Sequence, residues 1–326
     1  MDHPSPPDSF ERPRARDPLA WLGRHAPAAM PLGLVAGLLL PDLAALARPL
    51  LAPAIIFMMT LSMLRIDAQQ VAREMRRPVL IIATIAWMLL GSPLVGLGFG
   101  RVIGLEGPIL TAVVLFSAGP PILAGIAFAL MLGLRAELSL VVVVLATLVC
   151  PLTVPPLVDW LAGFHMDLAT GELMLRLAGV VAFATVASRV VRWGMGPVRV
   201  MRAADHLDGL LVLAMAVFAL SIMDGVLDHL LAEPMRFVWL TALAMGVALM
   251  HQTLPLLAWP LVAKETLATV AMVCGYRNMG IVMAALGEAV DPDIFLFFVV
   301  VQVPIYCLPV LMKPVFRRIA GHARVG

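Results

Sequence analysis

From residue 26 to residue 315 the chain is an almost unbroken succession of apolar runs, separated only by short stretches carrying charge, proline or glycine. A hydrocarbon core about 30 Å thick takes roughly 20 residues of helix, and it tolerates no backbone amide that its own segment leaves unsatisfied. Bounded in this way the runs number ten: 26–41, 48–64, 78–100, 108–132, 137–162, 173–193, 208–230, 236–257, 266–287 and 292–315. Hydrophobic residues make up 61% of the 326 and charged ones 13%, against about 25% charged in a soluble domain, so a water-soluble globule is excluded. The expectation is an all-α integral membrane protein of ten transmembrane helices, with no room for a large extramembrane domain.

Lysine and arginine test the count independently, because cytoplasmic loops hold their excess. Threaded through ten spans, eighteen of the 23 basic residues fall on one side, Arg48, Arg101, Arg176 and Arg236 fall on the other, and Arg277 falls on neither. That sorting predicts a multi-pass protein of the cell inner (plasma) membrane with both termini cytoplasmic. Residues 1–25 mix Arg12, Arg14 and Arg16 with Asp8, Glu11 and Asp17 among five prolines, and read as a disordered cytoplasmic tail; residues 317–326 read as a second tail. A net charge of +2 argues against nucleic acid as a partner. Cys150, Cys274 and Cys307 stand singly in apolar runs without metal or redox spacing, so they read as small buried thiols, and no metal or cofactor is expected.

Ten spans divide into five and five, which sets residues 26–164 and 165–316 in opposite orientation, the inverted-repeat plan of many secondary transporters. The fourth and ninth spans hold equivalent places, and both are interrupted. In the fourth, Ser117-Ala118-Gly119-Pro120-Pro121 removes two amide donors in succession and forces the helix to unwind. In the ninth, Cys274-Gly275-Tyr276-Arg277-Asn278-Met279-Gly280 puts an arginine about a dozen residues from either end, near the bilayer midplane. An arginine there costs about 2.5–3.5 kcal/mol on translocon scales, and intramembrane ionisable groups are functional by default. No acid stands three or four residues away, so the guanidinium needs a partner elsewhere: a substrate, or carbonyls freed in the fourth span. Broken helices survive in a membrane only where they line a cavity or are buried in protein, which makes these two breaks the expected site.

Other candidates are weaker. Asp224 and Asp228 form a DxxxD spacing, but no second acidic motif joins them to hold magnesium. Asp205-His206-Leu207-Asp208 looks like helix N-terminal capping. His251 and Gln252 fall near the inner end of the eighth span and read as interfacial, and Gln302 is expected to hydrogen-bond within the core. Proton coupling would need a titratable group, and Asp224, His251 and Glu288, all close to span ends, are the nearest in type.

On these residues the two broken spans resemble the crossing pair of the bile acid:sodium symporter family, the solute carrier family 10-like transporters. The family's fourth span carries a Pro-Gly-Gly-rich break, then Ser-Asn, and closes with Leu-Ser; here Pro120-Pro121, Gly125-Ile126 and Leu138-Ser139 fall at that spacing. Its ninth span carries Glu-x-Gly-x-Gln-Asn, and here Val273-Cys274-Gly275-Tyr276-Arg277-Asn278 takes that register as an Arg-Asn variant. The resemblance implies panel and core domains, crossing discontinuous helices 4 and 9, and a secondary-active or facilitative transporter of a small organic anion.

Carried over residue by residue, the family's sodium ligands become Gly125, Ile126, Ser139, Val273 and Arg277, of which only Ser139 keeps an oxygen ligand. Sodium is therefore a doubtful partner. The expected substrate-binding residues are Arg277, Asn278, Tyr276, Gly275, Ser117, Gly119, Pro120 and Pro121, with Arg277 either binding the anion or standing in for sodium as a tethered cation. Two alternatives from other classes remain: an intramembrane enzyme using Asp224 and Asp228, and a non-transporting sensor with the same fold.

Overall fold

The computed structural model describes residues 18–321 except 20, 21, 23–25, 65, 67, 76, 77, 163–168, 259–261, 288 and 289. The expected tail before residue 18, the last five residues of the chain, and Glu288 lie outside the described residues.

Sixteen helices are used below, numbered in chain order. They are α1 (Ala26–Leu39), α2 (Pro41–Leu64, tightened by a 3₁₀ turn at Arg48–Leu50), α3 (Ala68–Glu74) and α4 (Pro78–Val102). Next come α5 (Gly107–Ala118), α6 (Gly125–Leu132), α7 (Ala136–Ala162), α8 (Thr170–Met195), α9 (Pro197–Arg202) and α10 (Ala204–Ser221). The series ends with α11 (Val226–Ala232), α12 (Pro234–Ala258), α13 (Lys264–Gly275), α14 (Met279–Leu286), α15 (Pro292–Leu311) and α16 (Lys313–Ile319). Seven of these, α2, α4, α7, α8, α10, α12 and α15, are long and apolar enough to cross a membrane.

Three of the ten expected spans are not among the seven. The first is helical over 14 of the described residues, Ala26–Leu39, about 21 Å of rise. The fourth and ninth are each split, into α5 with α6 and α13 with α14, where their prolines and glycines fall. The α6 half ends on Gly133, whose φ of 70° belongs to the left-handed region where a Cβ is penalised, and this turns the chain back into α7.

Packing sorts the helices into two groups. Helices α1, α2, α8 and α10 lie on one another, while α4 to α7 and α12 to α15 pack around the two breaks; α7 and α14 meet α8, and α14 also meets α2. In the first group Gly33 and Gly37 of α1 let its backbone close on the α10 region. A Cβ at Gly33 would stand 2.8 Å from Cβ of Ala219, and one at Gly37 2.7 Å from Cβ of Met223. This is the small-xxx-small device by which helices associate where burial from lipid supplies no driving force. Replacing both by alanine is expected to cost about 1–3 kcal/mol through overpacking and to lower the melting temperature in detergent. Gly179→Ala, at an exposed position of α8 with nothing within 4 Å, is the matched control and is expected not to destabilise.

The DHLD stretch corrects one expectation. Helix α10 begins with Ala203 as N-cap and no side chain caps it; Asp205 lies in the first turn instead, where its charge complements the helix dipole. Cys307 is exposed rather than buried, unlike Cys150 and Cys274, because its side of α15 is turned away from the packed group.

Candidate functional site: the crossing of two broken helices

Unwinding a helix frees backbone groups, and here each break satisfies the other. The amide of Ile122 donates to Tyr276 O at 3.0 Å and the amide of Asn278 donates to Pro120 O at 2.6 Å, so Pro121 and Arg277 face each other across an isolated antiparallel bridge. Two short non-helical segments thus meet inside the helical bundle. Pro120 and Pro121 leave no surplus donor on the fourth-span side, which is why two prolines in a row are accommodated there. Edge-on contact with Phe128, at 5.3 Å between ring centroids, holds the Tyr276 ring, and Tyr276 itself is 1% exposed.

Arg277 is fully buried. One terminal nitrogen donates to Met88 O at 3.3 Å and to Gly119 O at 3.2 Å, and the other to Ser92 Oγ at 2.7 Å. Nε makes no hydrogen bond. The Met88 carbonyl is open for a reason written into α4. Trp87–Gly91 is a π turn, in which the Ser92 amide reaches back five residues to Trp87 O. The next amide, in register for Met88, would belong to Pro93, which has none. A π turn followed by proline therefore presents a bare carbonyl and a serine hydroxyl to the guanidinium. Met88 and Ser92 were not anticipated from sequence, although the Gly91-Ser92-Pro93 run was the available signal.

A second layer surrounds the crossing. His251 and Gln252 were expected at the inner interface, but both are fully buried on α12, which packs against α13. They stand six or seven residues before the helix end, about 10 Å of rise, deep enough to face the breaks rather than the headgroups. His251 Nε2 lies 2.8 Å from Ser117 Oγ. Gln252 presses against Gly275 so closely that a Cβ there would overlap its side chain, which explains the glycine. Gly96 of α4 plays the same part for Ser117, since a Cβ would overlap that hydroxyl. The amide atoms of Gln252 and the Tyr276 hydroxyl are buried beside one another without a well-formed hydrogen bond.

The positions carried over from the sodium sites are spread around the same region. Gly125 opens α6 beside Ser139, whose buried hydroxyl makes no hydrogen bond. Ile126 is half-buried against the core, and Val273 is buried on α13; both offer hydrocarbon where a cation needs oxygen. Asn278 is half-buried and contributes its backbone amide to the crossing. Gln302 bonds within its own helix, donating to Phe298 O at 3.1 Å and accepting from the Tyr306 hydroxyl at 3.3 Å.

The acidic pair is not brought together. Asp224 lines a cavity of about 260 Å³ with Arg48, His229 and Phe295, the Arg48 guanidinium carbon standing 3.9 Å over the Phe295 ring, whereas Asp228 is exposed on α11 and does not line it. Among the described residues no group of three or more His, Cys, Asp and Glu side chains is placed to hold a metal ion.

No curated protein matches the chain closely enough to serve as a relative. Residues 52–201, from α2 through the first broken span to α9, match the sequence profile of the Sodium Bile acid symporter family. With seven membrane-length helices, the molecule is a multi-pass membrane protein whose stretch from α2 to α9 is similar to the sodium bile acid symporter family.

Proposed function

We propose that the chain is a secondary-active or facilitative transporter of a small organic anion, in which Arg277 is a tethered cation standing where relatives bind sodium. The observation that carries this reading is the full burial of Arg277 without a carboxylate, its terminal nitrogens donating to two carbonyls and a hydroxyl. Those are the hard oxygen groups that a metal cation would otherwise draw together. The guanidinium ties α4 and both crossing breaks to one fixed positive charge. A carboxylate or sulfonate approaching the crossing meets that charge in a site of low dielectric, where it is screened little. Direct bidentate capture is less favoured, because both terminal nitrogens already have partners.

The ten-span arrangement with cytoplasmic termini belongs to the same proposal. In its support, side chains assigned to one side meet: Arg236 pairs with Asp293 at 2.6 Å and Arg48 covers Phe295. At the opposite end Arg135 reaches Glu74 at 3.4 Å and Thr266 at 3.1 Å, while Arg192 donates to Leu64 O at 2.9 Å. In this reading the two packing groups are a panel (α1, α2, α8, α10) and a core (α4 to α7, α12 to α15), and the half-repeats are residues 26–164 and 165–316.

Thermal shift on purified protein tests the reading. Anions from pyruvate to taurocholate are added as sodium and as potassium salts. An anion at about 100 times its Kd adds ~2.7 kcal/mol of stability by mass action. The expected result is a shift that depends on the anion and is equal in the two salts. A shift produced by sodium chloride and not by potassium chloride would show an intact sodium site and overturn the tethered-cation reading; no shift with any anion would remove the substrate class.

A further inference from the structure

The proton on Ser117 decides the state of the buried imidazole behind it. Its hydroxyl donates to Val113 O at 2.7 Å, which spends its single hydrogen, so towards His251 Ser117 offers only a lone pair. Nε2 of His251, 2.8 Å away, is therefore the nitrogen that carries hydrogen, and Nδ1 presents a bare lone pair. That atom is fully buried and makes no hydrogen bond. An imidazole with its orientation fixed on one nitrogen and its base left open on the other is arranged to accept a proton. A proton also needs no cavity, which suits a crossing where Gln252 already fills the space beside Gly275.

The charges around it define when a proton would be taken. On α13 and the crossing segment the ionisable groups are Lys264 and Glu265, exposed in the first turn of α13, then Cys274, Tyr276 and Arg277, and the charge of Arg277 acts on the imidazole. Helix α5 contributes Ser117 and no ionisable side chain. On α15, Asp293 is paired with Arg236 at the far end of α12, the Tyr306 hydroxyl is bound to Gln302, and Cys307 is exposed. Asp228 and His229 lie on α11, which leads into the start of α12, and His229 lines the cavity with Asp224, Arg48 and Phe295. Thus a positive charge at His251 is opposed first by its burial and then by the charge of Arg277, and an anion near the crossing offsets the second of these.

We propose that Nδ1 of His251 is a proton-binding site through which anion movement is coupled to protons, an inference that rests on the transporter reading above. Water on the side to which the site is open supplies the proton to the Nδ1 lone pair, giving an imidazolium; the anion and proton load together by reciprocal linkage and leave together on the other side. A proton and a fixed guanidinium would then do the work that bound sodium does in the relatives.

Ring-¹⁵N histidine NMR and proton uptake test this. In the full-length wild-type protein the His251 signal, assigned by its loss in His251→Gln, is expected as the Nε2–H tautomer; an Nδ1–H tautomer overturns the proposal without any variant. In weakly buffered solution, protons taken up per taurocholate or pyruvate bound are expected near one, falling near zero in His251→Gln. Binding without uptake, or the same ratio in both proteins, overturns it. Should neither anion bind, the anion reading fails and the proton site is judged by Arg277→Gln, which removes the opposing charge as an anion would offset it. Imidazolium at His251 then forms at a pH about one unit or more above that for wild type. An unchanged protonation profile rejects the site, and if the variant does not fold the wild-type profile decides, since a ring that shows no imidazolium between pH 8 and 5 rejects it equally.

Discussion

Arg277→Gln lowers the melting temperature of the protein without any anion present, and leaves the anion-induced shift small. Three hydrogen bonds from a charged donor are lost, each worth about 1.5–3 kcal/mol, and Met88 O and Gly119 O are left buried without them. Against this stands relief of the cost of burying an uncompensated arginine, about 2.5–3.5 kcal/mol at midplane. The balance is a destabilisation of a few kcal/mol. Arg277→Lys keeps a charge that reaches one or two of the three acceptors and loses the planar fork, so it falls between the two. Thermal melting of both variants with and without taurocholate separates the roles. Normal apo stability with abolished anion shift would identify Arg277 as the anion's direct ligand, and no change in either property would make it dispensable.

The second large effect belongs to the backbone. Ile122→Pro removes the amide that donates to Tyr276 O, while keeping an extended conformation already shared by Pro120 and Pro121. In a low-dielectric interior a carbonyl deprived of its donor costs about 1–3 kcal/mol, and one of the two hydrogen bonds joining the breaks is gone. The expected outcome is protein that inserts but melts lower and loses anion-dependent stabilisation. Ile122→Val, which keeps the amide and most of the half-buried side chain, is expected to remain near wild type. Equal behaviour of the two variants in melting and anion binding would show that the crossing does not depend on this bond.

Both predictions turn on contacts between segments roughly 150 to 190 residues apart, and this marks the boundary of what the chain alone made legible. The membrane-spanning class followed from apolar runs, because hydrocarbon thickness and obligatory backbone pairing are constraints on each segment by itself. The two breaks followed likewise from Pro120-Pro121 and from Gly275 to Gly280, and Arg277 stood out as a charge without a neighbour. The first helix was anticipated as a span from its hydropathy, whereas the closeness of Gly33 and Gly37 to the α10 region could not be read from it.

What only the tertiary structure decided is who satisfies whom. Ser92 and Met88 were invisible as ligands of the guanidinium because a π turn and a following proline free a carbonyl without changing hydropathy. His251 and Gln252 looked interfacial because distance from a helix end says nothing of which face is buried; packing of α12 on α13 turned them onto the crossing. Asp224 and Asp228, neighbours by spacing, were separated by the turn before α11, one into a cavity and one into the open. Local sequence fixes which backbone and polar groups lack partners within their own segment, whereas the partner is chosen by three-dimensional packing, which alone brings distant donors and acceptors into hydrogen-bonding reach.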